Sequence, residues 1–365
     1  MSSGTPTPRK LVLLVGTAKG LFLFHGDERR TDWKLTGPHL GGWEIFSLCG
    51  DSRGGRILAG TGHVMHGATI RTSGDFGATW EPVERDPAFP PDASCKLNHI
   101  WQIVPGAAAE PGTWYAGTDD AALFVSCDDG RTWSELTGLT RHPTRSRWVP
   151  GFGGLCLHSI LVDPTTPGRL WVGISAVGVF RSEDAGESWT LCNEGLHNVA
   201  PDFIKDPEMG RCVHKLALDP EHPGVLYLQY HGGVFKSEDA AATWIRISEG
   251  LPHQFGFPMA VTPKGELFIV SLLSDENRVV PDGALKVWRS RDRGRTWRGL
   301  TNGLPQESHF VGVLRDALAA DPLEPSGIYF GTTAGEVFYS TDTGETWQKL
   351  PAQLPRITTL KAWMV

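Results

Sequence analysis

Six copies of one short motif recur along this chain at a nearly constant interval. The motif has the pattern Ser-x-Asp-x-Gly-x-Ser/Thr-Trp, although Ala241 replaces the glycine in the fourth copy. Successive motif aspartates lie 53, 56, 55, 53 and 50 residues apart. A constant interval of this length is typical of a repeat architecture, in which each repeat forms one structural unit. The six aspartates are Asp75, Asp128, Asp184, Asp239, Asp292 and Asp342.

Each repeat contains four short apolar segments that alternate with turn residues. In the repeat that ends at Trp189, these segments are residues 158–162, 169–173, 178–181 and 189–192. Their length and their apolar, β-branched and aromatic residues favour β-strands. A four-stranded unit that recurs about every 50 residues is typical of a propeller blade.

The two ends of the chain predict how the ring of blades closes. Residues 11–15 form the second strand of a blade with no first strand before it, and residues 357–365 form a lone first strand. Pairing of these two strands removes two open sheet edges. The sequence therefore predicts an all-β fold, a seven-bladed β-propeller in which the C-terminal strand completes the first blade. Residues 10–365 form this single domain, and residues 1–9 form a flexible N-terminus.

The repeated motif resembles the Asp-box, or BNR, repeat. Propellers with this repeat include sialidases, xyloglucan-cleaving glycosidases, sortilin ectodomains and photosystem II assembly factors. The resemblance implies the propeller fold and gives the motif aspartates a structural role at the outer rim. It implies no single activity, because one fold can carry many functions.

Charge and composition exclude several classes of function. The formal net charge is −7, so the chain lacks the basic surface of a nucleic-acid-binding protein. The apolar run at residues 11–16 is too short for a membrane span or a signal peptide. The six cysteines include no Cys-x-x-Cys pair, so no disulfide framework is expected. We therefore expect a cytoplasmic protein with no nucleic-acid or membrane partner.

Three histidines occupy equivalent positions in three consecutive blades. The first strand of each blade lines the channel of a propeller. Alignment of these strands on the proline turns that follow them gives one channel-facing residue in most blades; the terminal strand is aligned by its end, and Glu44 lies within one residue of the position. Imidazole is a common ligand of transition metals, and His63 and His66 add donors from a nearby loop. A structural, hydrogen-bonded role for each histidine is the competing interpretation. From blade 1 to blade 7, the aligned channel-facing residues are Lys361, Glu44, His99, His158, His214, Phe257 and Asp316.

The leading functional hypothesis is a metal-dependent hydrolase or lyase that binds a small anionic molecule in the channel. One divalent ion (Zn, Fe, Cu or Mn), held by His99, His158, His214, His63 and His66, would activate water or substrate; no other cofactor is expected. The candidate catalytic residues are Glu44, Asp316 and Lys361. Because arginine suits carboxylate and phosphate recognition, the candidate substrate-binding residues are Arg147, Trp148, Arg211, Arg315 and Arg356.

Two other functions fit the same residues. The first alternative is a non-catalytic module that binds a protein partner. The second is a glycoside hydrolase, in which Glu44 and Asp316 form the carboxylate pair. In that case Trp43, Trp101 or Trp148 would stack on sugar rings. Classical sialidase activity is not expected, because the Arg-Ile-Pro signature is missing and most tyrosines lie within predicted strands.

Overall fold

Seven four-stranded antiparallel sheets surround a central channel, and the first strand of each sheet contacts the first strand of the next. This arrangement confirms the predicted all-β, seven-bladed propeller. The computed structural model describes residues 10–51, 53–93, 95–151, 153–197 and 206–365, so the predicted flexible N-terminus, residues 1–9, lies outside the described residues. In the part of the chain that is described, no helix is long and apolar enough to cross a membrane.

Blades 1 to 4 contain the first fifteen strands and the last one. Blade 1 consists of β1 (Lys10–Thr17), β2 (Gly20–Asp27), β3 (Lys34–His39) and β28 (Ile357–Met364). Blade 2 consists of β4 (Glu44–Asp51), β5 (Arg56–His63), β6 (Gly67–Ser73) and β7 (Glu81–Pro82). Blade 3 consists of β8 (Ile100–Pro105), β9 (Trp114–Thr118), β10 (Leu123–Ser126) and β11 (Ser134–Leu136). Blade 4 consists of β12 (Leu157–Val162), β13 (Leu170–Ile174), β14 (Gly178–Ser182) and β15 (Thr190–Leu191).

Blades 5 to 7 complete the ring. Blade 5 consists of β16 (Val213–Leu218), β17 (Leu226–Tyr230), β18 (Gly233–Ser237) and β19 (Ile245–Arg246). Blade 6 consists of β20 (Gly256–Val261), β21 (Leu267–Ser271), β22 (Val287–Ser290) and β23 (Arg298–Leu300). Blade 7 consists of β24 (Leu318–Ala320), β25 (Ile328–Gly331), β26 (Val337–Ser340) and β27 (Gln348–Lys349). Short 3-10 turns occur at Asp119–Ala121, Arg145–Arg147 and Pro281–Gly283.

Pairing of the two chain ends closes the ring. β28 runs antiparallel to β1, with Lys361 opposite Leu14, as the sequence predicts. A buried ion pair lies beside this closure, between the loop after β2 and blade 7. Arg30 donates from Nε and Nη2 to the two carboxylate oxygens of Asp321, at 2.7 and 2.8 Å. Backbone pairing therefore joins β1 to the C-terminal strand, and a bidentate ion pair joins blade 1 to blade 7.

The inner strands of six blades carry a β-bulge close to where they begin. A bulge leaves a backbone carbonyl outside the regular ladder. At four of these bulges, a side chain from the preceding blade donates a hydrogen bond to the carbonyl. These bonds join Thr358 Oγ1 to Ile45 O, Ser47 Oγ to Ile100 O (3.0 Å), His158 Nε2 to Val213 O (2.9 Å) and His214 Nδ1 to Gly256 O (2.6 Å).

Each Asp box forms a closed set of hydrogen bonds within the turn after the third strand of its blade. In blade 4, the Asp184 carboxylate accepts from Ser182 Oγ (2.8 Å), from Ser188 N–H (2.9 Å) and from Ser188 Oγ (2.5 Å). Ser182 Oγ also accepts from Gly186 N–H at 2.8 Å, and Trp189 Nε1 donates to Gly186 O at 3.0 Å. These partners occupy the carboxylate, which supports a structural role.

The box turn needs a residue in the left-handed backbone region. Gly186 has a φ of 94°, and Ala241, which replaces the glycine in the fourth box, has a φ of 70°. Ala241 N–H still donates to Ser237 Oγ at 2.9 Å. The hydrogen bonds of the box therefore hold alanine in a conformation that favours glycine.

Replacement of Asp184 by Ala should lower the free energy of unfolding by about 1 kcal/mol, because the exposed turn loses its acceptors. The hydrogen bond from Ser188 lowers the pKa of Asp184 in the folded protein. The stabilising effect is therefore complete above the unfolded-state pKa of about 3.9 and is lost as the pH falls through the lower folded-state pKa. Urea unfolding at several pH values measures this difference. Glu187→Ala, at an exposed position of the same turn, should change stability by less than about 0.5 kcal/mol; equal effects of the two variants would contradict the structural role.

Candidate functional site

His158 uses both ring nitrogens within the protein scaffold. Its Nε2 donates to Val213 O at 2.9 Å, and its Nδ1 lies 3.1 Å from Ser159 Oγ. Burial lowers the pKa of His158 well below its ordinary value, so the ring is neutral at pH 7. His158 therefore connects blade 4 to blade 5 and has no nitrogen left for the predicted metal.

The structure does not bring the other predicted metal ligands together. His99 Nδ1 lies 2.7 Å from Asp119 Oδ2. His63, the last residue of β5, and His66, in the turn that follows, lie against each other with ring centroids 4.9 Å apart. Among the described residues, one group of three His, Cys, Asp or Glu side chains has all its donor atoms within 4.8 Å, and it contains only His214 of the five histidines. Equivalent positions around a ring do not direct the side chains toward one metal ion. The five histidines therefore do not form the predicted metal site.

A cavity of about 260 Å³ lies at the axis of the ring, and residues from every blade except blade 5 line it. We call it the funnel cavity. Its lining combines aromatic rings, three arginines and two carboxylates, which is a composition suited to a polar ligand with apolar faces. The residues that carry this chemistry are Glu44, Phe46, Trp101, Phe257, Arg278, Arg315, Asp316 and Arg356.

Blades 2 and 3 supply an aromatic wall of the funnel cavity. The rings of Phe46 and Trp101 lie 5.8 Å apart, and His99 packs against both at 4.5 and 4.8 Å. The Asp119 carboxylate fixes this wall, because it accepts from Trp101 Nε1 at 2.6 Å and also pairs with His99. Trp101, one of the tryptophans predicted to stack on sugar, therefore lies in the cavity with its ring orientation fixed.

Blades 6 and 7 supply a cationic wall. The Arg278 and Arg315 guanidinium groups lie over the Phe257 ring, 5.3 and 5.8 Å from its centroid. Arg315 Nε donates to His214 O at 2.6 Å, and Arg278 pairs with Asp275 at 2.8 Å. Arg315 therefore lines the cavity as the sequence predicts, although its Nε also satisfies a carbonyl of blade 5.

Asp316 is buried between two lysines. Lys215 Nζ lies 2.5 Å and Lys361 Nζ 3.0 Å from Asp316 Oδ1. Burial alone would raise the pKa of Asp316, but the two ammonium groups outweigh it and hold the pKa well below its usual range. Burial in turn lowers the pKa of Lys215 to about 8. Asp316 is therefore an ionised carboxylate in the cavity wall, and the predicted catalytic Lys361 is its ion-pair partner.

Glu44 is the second carboxylate of the funnel cavity. It begins β4, is half-buried and makes no side-chain hydrogen bond or ion pair with any described residue. Arg356, also predicted from the sequence, lines the same cavity with an exposed side chain that has no such partner among the described residues. These two groups are free to interact with a ligand.

Three predicted substrate-binding residues lie outside the cavity. Arg147 pairs with Asp206 and Glu208, at 2.6 and 2.8 Å. Trp148 is 7 % exposed within an apolar cluster. Arg211 donates to three backbone carbonyls, those of Leu196, Met209 and Pro207. The ion pairs, apolar packing and hydrogen bonds of these three side chains stabilise the loops. The sequence pattern does not distinguish this structural role from ligand binding.

Three residues of the site were not predicted from the sequence, namely Phe46, Lys215 and Arg278. Phe46 could have been found, because it lies two residues after Glu44 and so shares a strand face with it. Lys215 is a charged residue inside an otherwise apolar strand, which is a weak signal for a buried ion pair. Arg278 comes from the long loop between β21 and β22, whose path the sequence does not define.

Comparison with known proteins gives relatives of one kind at low identity, and no family model matches. A xyloglucanase of Paenibacillus sp is 25% identical over 237 residues, which cover 56% of this chain and 22% of that protein. Xyloglucanase Xgh74A of Acetivibrio thermocellus is 24% identical over 302 residues, which cover 71% of this chain and 34% of that protein. A probable oligoxyloglucan-reducing end-specific xyloglucanase of Neosartorya fischeri is 27% identical over 252 residues, covering 66% and 28%. The chain thus spans between about a fifth and a third of these relatives.

Solved structures share the fold. A structure of YCF48 bound to D1 peptide has a TM-score of 0.54 at 16% identity, covering 96% of this chain and 87% of that one. An ancestral GH74 enzyme has a TM-score of 0.53 at 14% identity, covering 87% and 38%. At these identities the likeness concerns the fold alone. By fold and by repeat, the chain is a seven-bladed Asp-box propeller similar to those of the YCF48 and GH74 structures.

The leading hypothesis of a metal-dependent hydrolase or lyase is wrong. The curated relatives are named xyloglucanases, which agrees with the glycoside hydrolase alternative. The structure gives a physical reason for the error, because His158, at the centre of the predicted histidine trio, hydrogen-bonds to the neighbouring blade.

Replacement of His158 by Gln should flatten the pH dependence of stability. A lowered folded-state pKa means that the stabilising effect of the neutral ring is complete above the unfolded-state pKa of about 6.5 and is lost as the pH falls toward the folded-state pKa. The wild type should therefore lose up to about 1.4 kcal/mol more per pH unit than the variant below about pH 6. Denaturant unfolding between about pH 5 and 8 measures both slopes. His66→Gln is the exposed control, and equal slopes for wild type and His158→Gln would show that His158 is not a buried neutral ring.

Proposed function

We propose that this propeller is a glycoside hydrolase and that the funnel cavity is its sugar-binding site. The observation that carries the proposal is the meeting of an aromatic wall with two carboxylates, Glu44 and Asp316, in one cavity. The apolar face of a sugar ring packs well on Phe46 and Trp101, while its hydroxyl groups need polar partners. The similarity to xyloglucanases supports the same class of activity.

The two carboxylates have different environments, as glycoside hydrolysis requires. Asp316 is held ionised by Lys215 and Lys361 and serves as the base that takes a proton from the attacking water. Glu44 has no fixed partner among the described residues and serves as the proton donor to the leaving oxygen. Asp316 Oδ1 faces both lysines, and Oδ2 accepts no hydrogen bond from a described residue.

The charge of the cavity favours an acidic sugar. Arg278, Arg315 and Arg356 line it; Asp275 pairs with Arg278 and two lysines neutralise Asp316, which leaves Arg315 and Arg356 opposite the single carboxylate of Glu44. Guanidinium groups bind carboxylates by charge-assisted hydrogen bonds. We therefore expect a preference for oligosaccharides that contain uronic acids over neutral ones.

Replacement of Glu44 by Gln should abolish at least about 99 % of the hydrolysis of a susceptible oligosaccharide, because general acid catalysis contributes about 100-fold or more. The amide keeps the size of the side chain, so binding measured by calorimetry should persist. Reducing-end release from a panel of neutral and uronic-acid oligosaccharides, xyloglucan included, is the assay. Glu187→Gln at the outer rim is the matched control. A wild type that neither binds nor cleaves any member of the panel, or a fully active Glu44→Gln variant, would overturn the proposal.

Replacement of Arg356 by Gln should weaken binding of a uronic-acid oligosaccharide about fivefold and leave a neutral one unchanged. An exposed charge contact contributes about 1 kcal/mol, and salt should reduce it further. Calorimetric titration of matched acidic and neutral oligosaccharides at two salt concentrations measures the difference. Arg29→Gln, an exposed arginine in the loop between β2 and β3, should have no effect. Equal losses for both sugars would show that Arg356 does not recognise charge.

A further inference from the structure

Blade 5 holds a cluster of sulfur and nitrogen donors that the proposed hydrolysis does not use. Cys212, His214 and His231 are the one group of three such side chains, within the described ranges, whose donor atoms all lie within 4.8 Å of one another. Cys212 directly precedes β16, His214 lies in β16, and His231 lies in the turn between β17 and β18. A backbone hydrogen bond of 3.1 Å from His231 N to Cys212 O joins the two ends of the cluster.

The orientation of His214 leaves one nitrogen facing the cluster. Its Nδ1 lies 2.6 Å from Gly256 O, and since a carbonyl only accepts, Nδ1 carries the proton. Nε2 is therefore the unprotonated nitrogen of the neutral ring, and it lies 3.6 Å from Cys212 Sγ. A histidine whose far nitrogen donates to a backbone carbonyl has its ring and tautomer fixed in the way that metal ligands require.

The sulfur-to-nitrogen separation also matches metal coordination. Bonds of about 2.3 Å to sulfur and 2.1 Å to nitrogen, at a tetrahedral angle, place the two ligand atoms about 3.6 Å apart. Cys212 Sγ and His214 Nε2 already have this separation. The third donor, a ring nitrogen of the half-buried His231, lies within 4.8 Å of both of these atoms.

The surroundings of the cluster are apolar on one side and charged on the other. The Phe255 ring packs edge-on against His214 and His231, at 5.2 and 5.1 Å. The nearby charges that act on the cluster are those of Arg278, Arg315 and Asp275. Arg278 and Arg315 lower the pKa of the Cys212 thiol, but burial outweighs them.

We propose that Cys212, His214 and His231 bind one thiophilic metal ion, Zn²⁺ or Cu⁺, through one sulfur and two imidazole nitrogens. Thiolate and imidazole are ligands that both ions accept. Burial raises the pKa of the Cys212 thiol in the metal-free protein, so binding releases this proton. The bound ion ties the start of the inner strand β16 to the turn after β17. It takes no part in the proposed hydrolysis of sugars.

Metal titration of the purified full chain tests the proposal. Zn²⁺ and, under reducing and anaerobic conditions, Cu⁺ are added separately in competition with a chelator, and bound metal is counted by elemental analysis. We expect one ion per chain. The ion with the lower dissociation constant in these two titrations is identified as the ligand of the site. Cys212→Ser and His231→Asn should each weaken binding by at least about 100-fold. Cys127→Ser, at an exposed cysteine of blade 3, and His66→Asn are the matched controls and should bind as the wild type does.

A spectroscopic readout keeps the test decisive if a variant does not fold. Co²⁺ loaded into the wild type should show a sulfur-to-cobalt charge-transfer band and the strong visible absorption of four-coordinate cobalt. His231→Asn should lose or shift the visible bands, and the controls should keep them. Wild type that binds no ion more tightly than Cys212→Ser, or a cobalt spectrum without the sulfur band, would overturn the proposal. These outcomes are independent of any result with oligosaccharides.

Discussion

Four hydrogen bonds that pass from an inner strand to the bulge of the next blade are the constraint on which the channel depends. An unpaired buried carbonyl costs about 1–3 kcal/mol, and at these bulges the preceding blade supplies the donor. Thr358, Ser47, His158 and His214 meet this requirement at four junctions, always in the same direction around the ring. These polar residues at the start of inner strands therefore have a structural role. Ligand binding depends on other side chains, such as Glu44 and Arg356, that make no hydrogen bond across a blade junction to a described residue.

The fold could be predicted from the sequence because its signals are local. All the side-chain hydrogen bonds of the Asp184 carboxylate in its Asp box fall within seven residues, so one eight-residue pattern counts one blade. The order of strands at the two chain ends then leaves one way to complete blade 1, and the pairing of β1 with β28 confirms it. The Arg30–Asp321 pair, which joins residues 291 positions apart, has no sequence signal of comparable strength.

The site was only partly predictable, because equivalent positions in a ring differ in what their side chains touch. Glu44, Arg315, Asp316 and Arg356 line the funnel cavity as expected. His158 is equivalent to Glu44 and Asp316 by alignment but faces a carbonyl of the next blade. His231 lies 17 residues after His214, and only the hairpin register, with Val213 opposite Tyr230, places it beside the start of β16. The residue pattern of β16 alone does not predict this contact, because the contact depends on the register between β16 and β17.

Arg315 joins the two regions to which we assign function. Its side chain lines the funnel cavity, while its Nε donates to the carbonyl of His214 in the cysteine–histidine cluster. Phe257 lies between them, 4.7 Å from the His214 ring and under the Arg315 guanidinium group. The position of the cationic wall is therefore set by the inner strand of blade 5, although no residue of that blade lines the cavity. The aromatic wall has a separate anchor in Asp119, so the two walls of the funnel cavity are held by different blades.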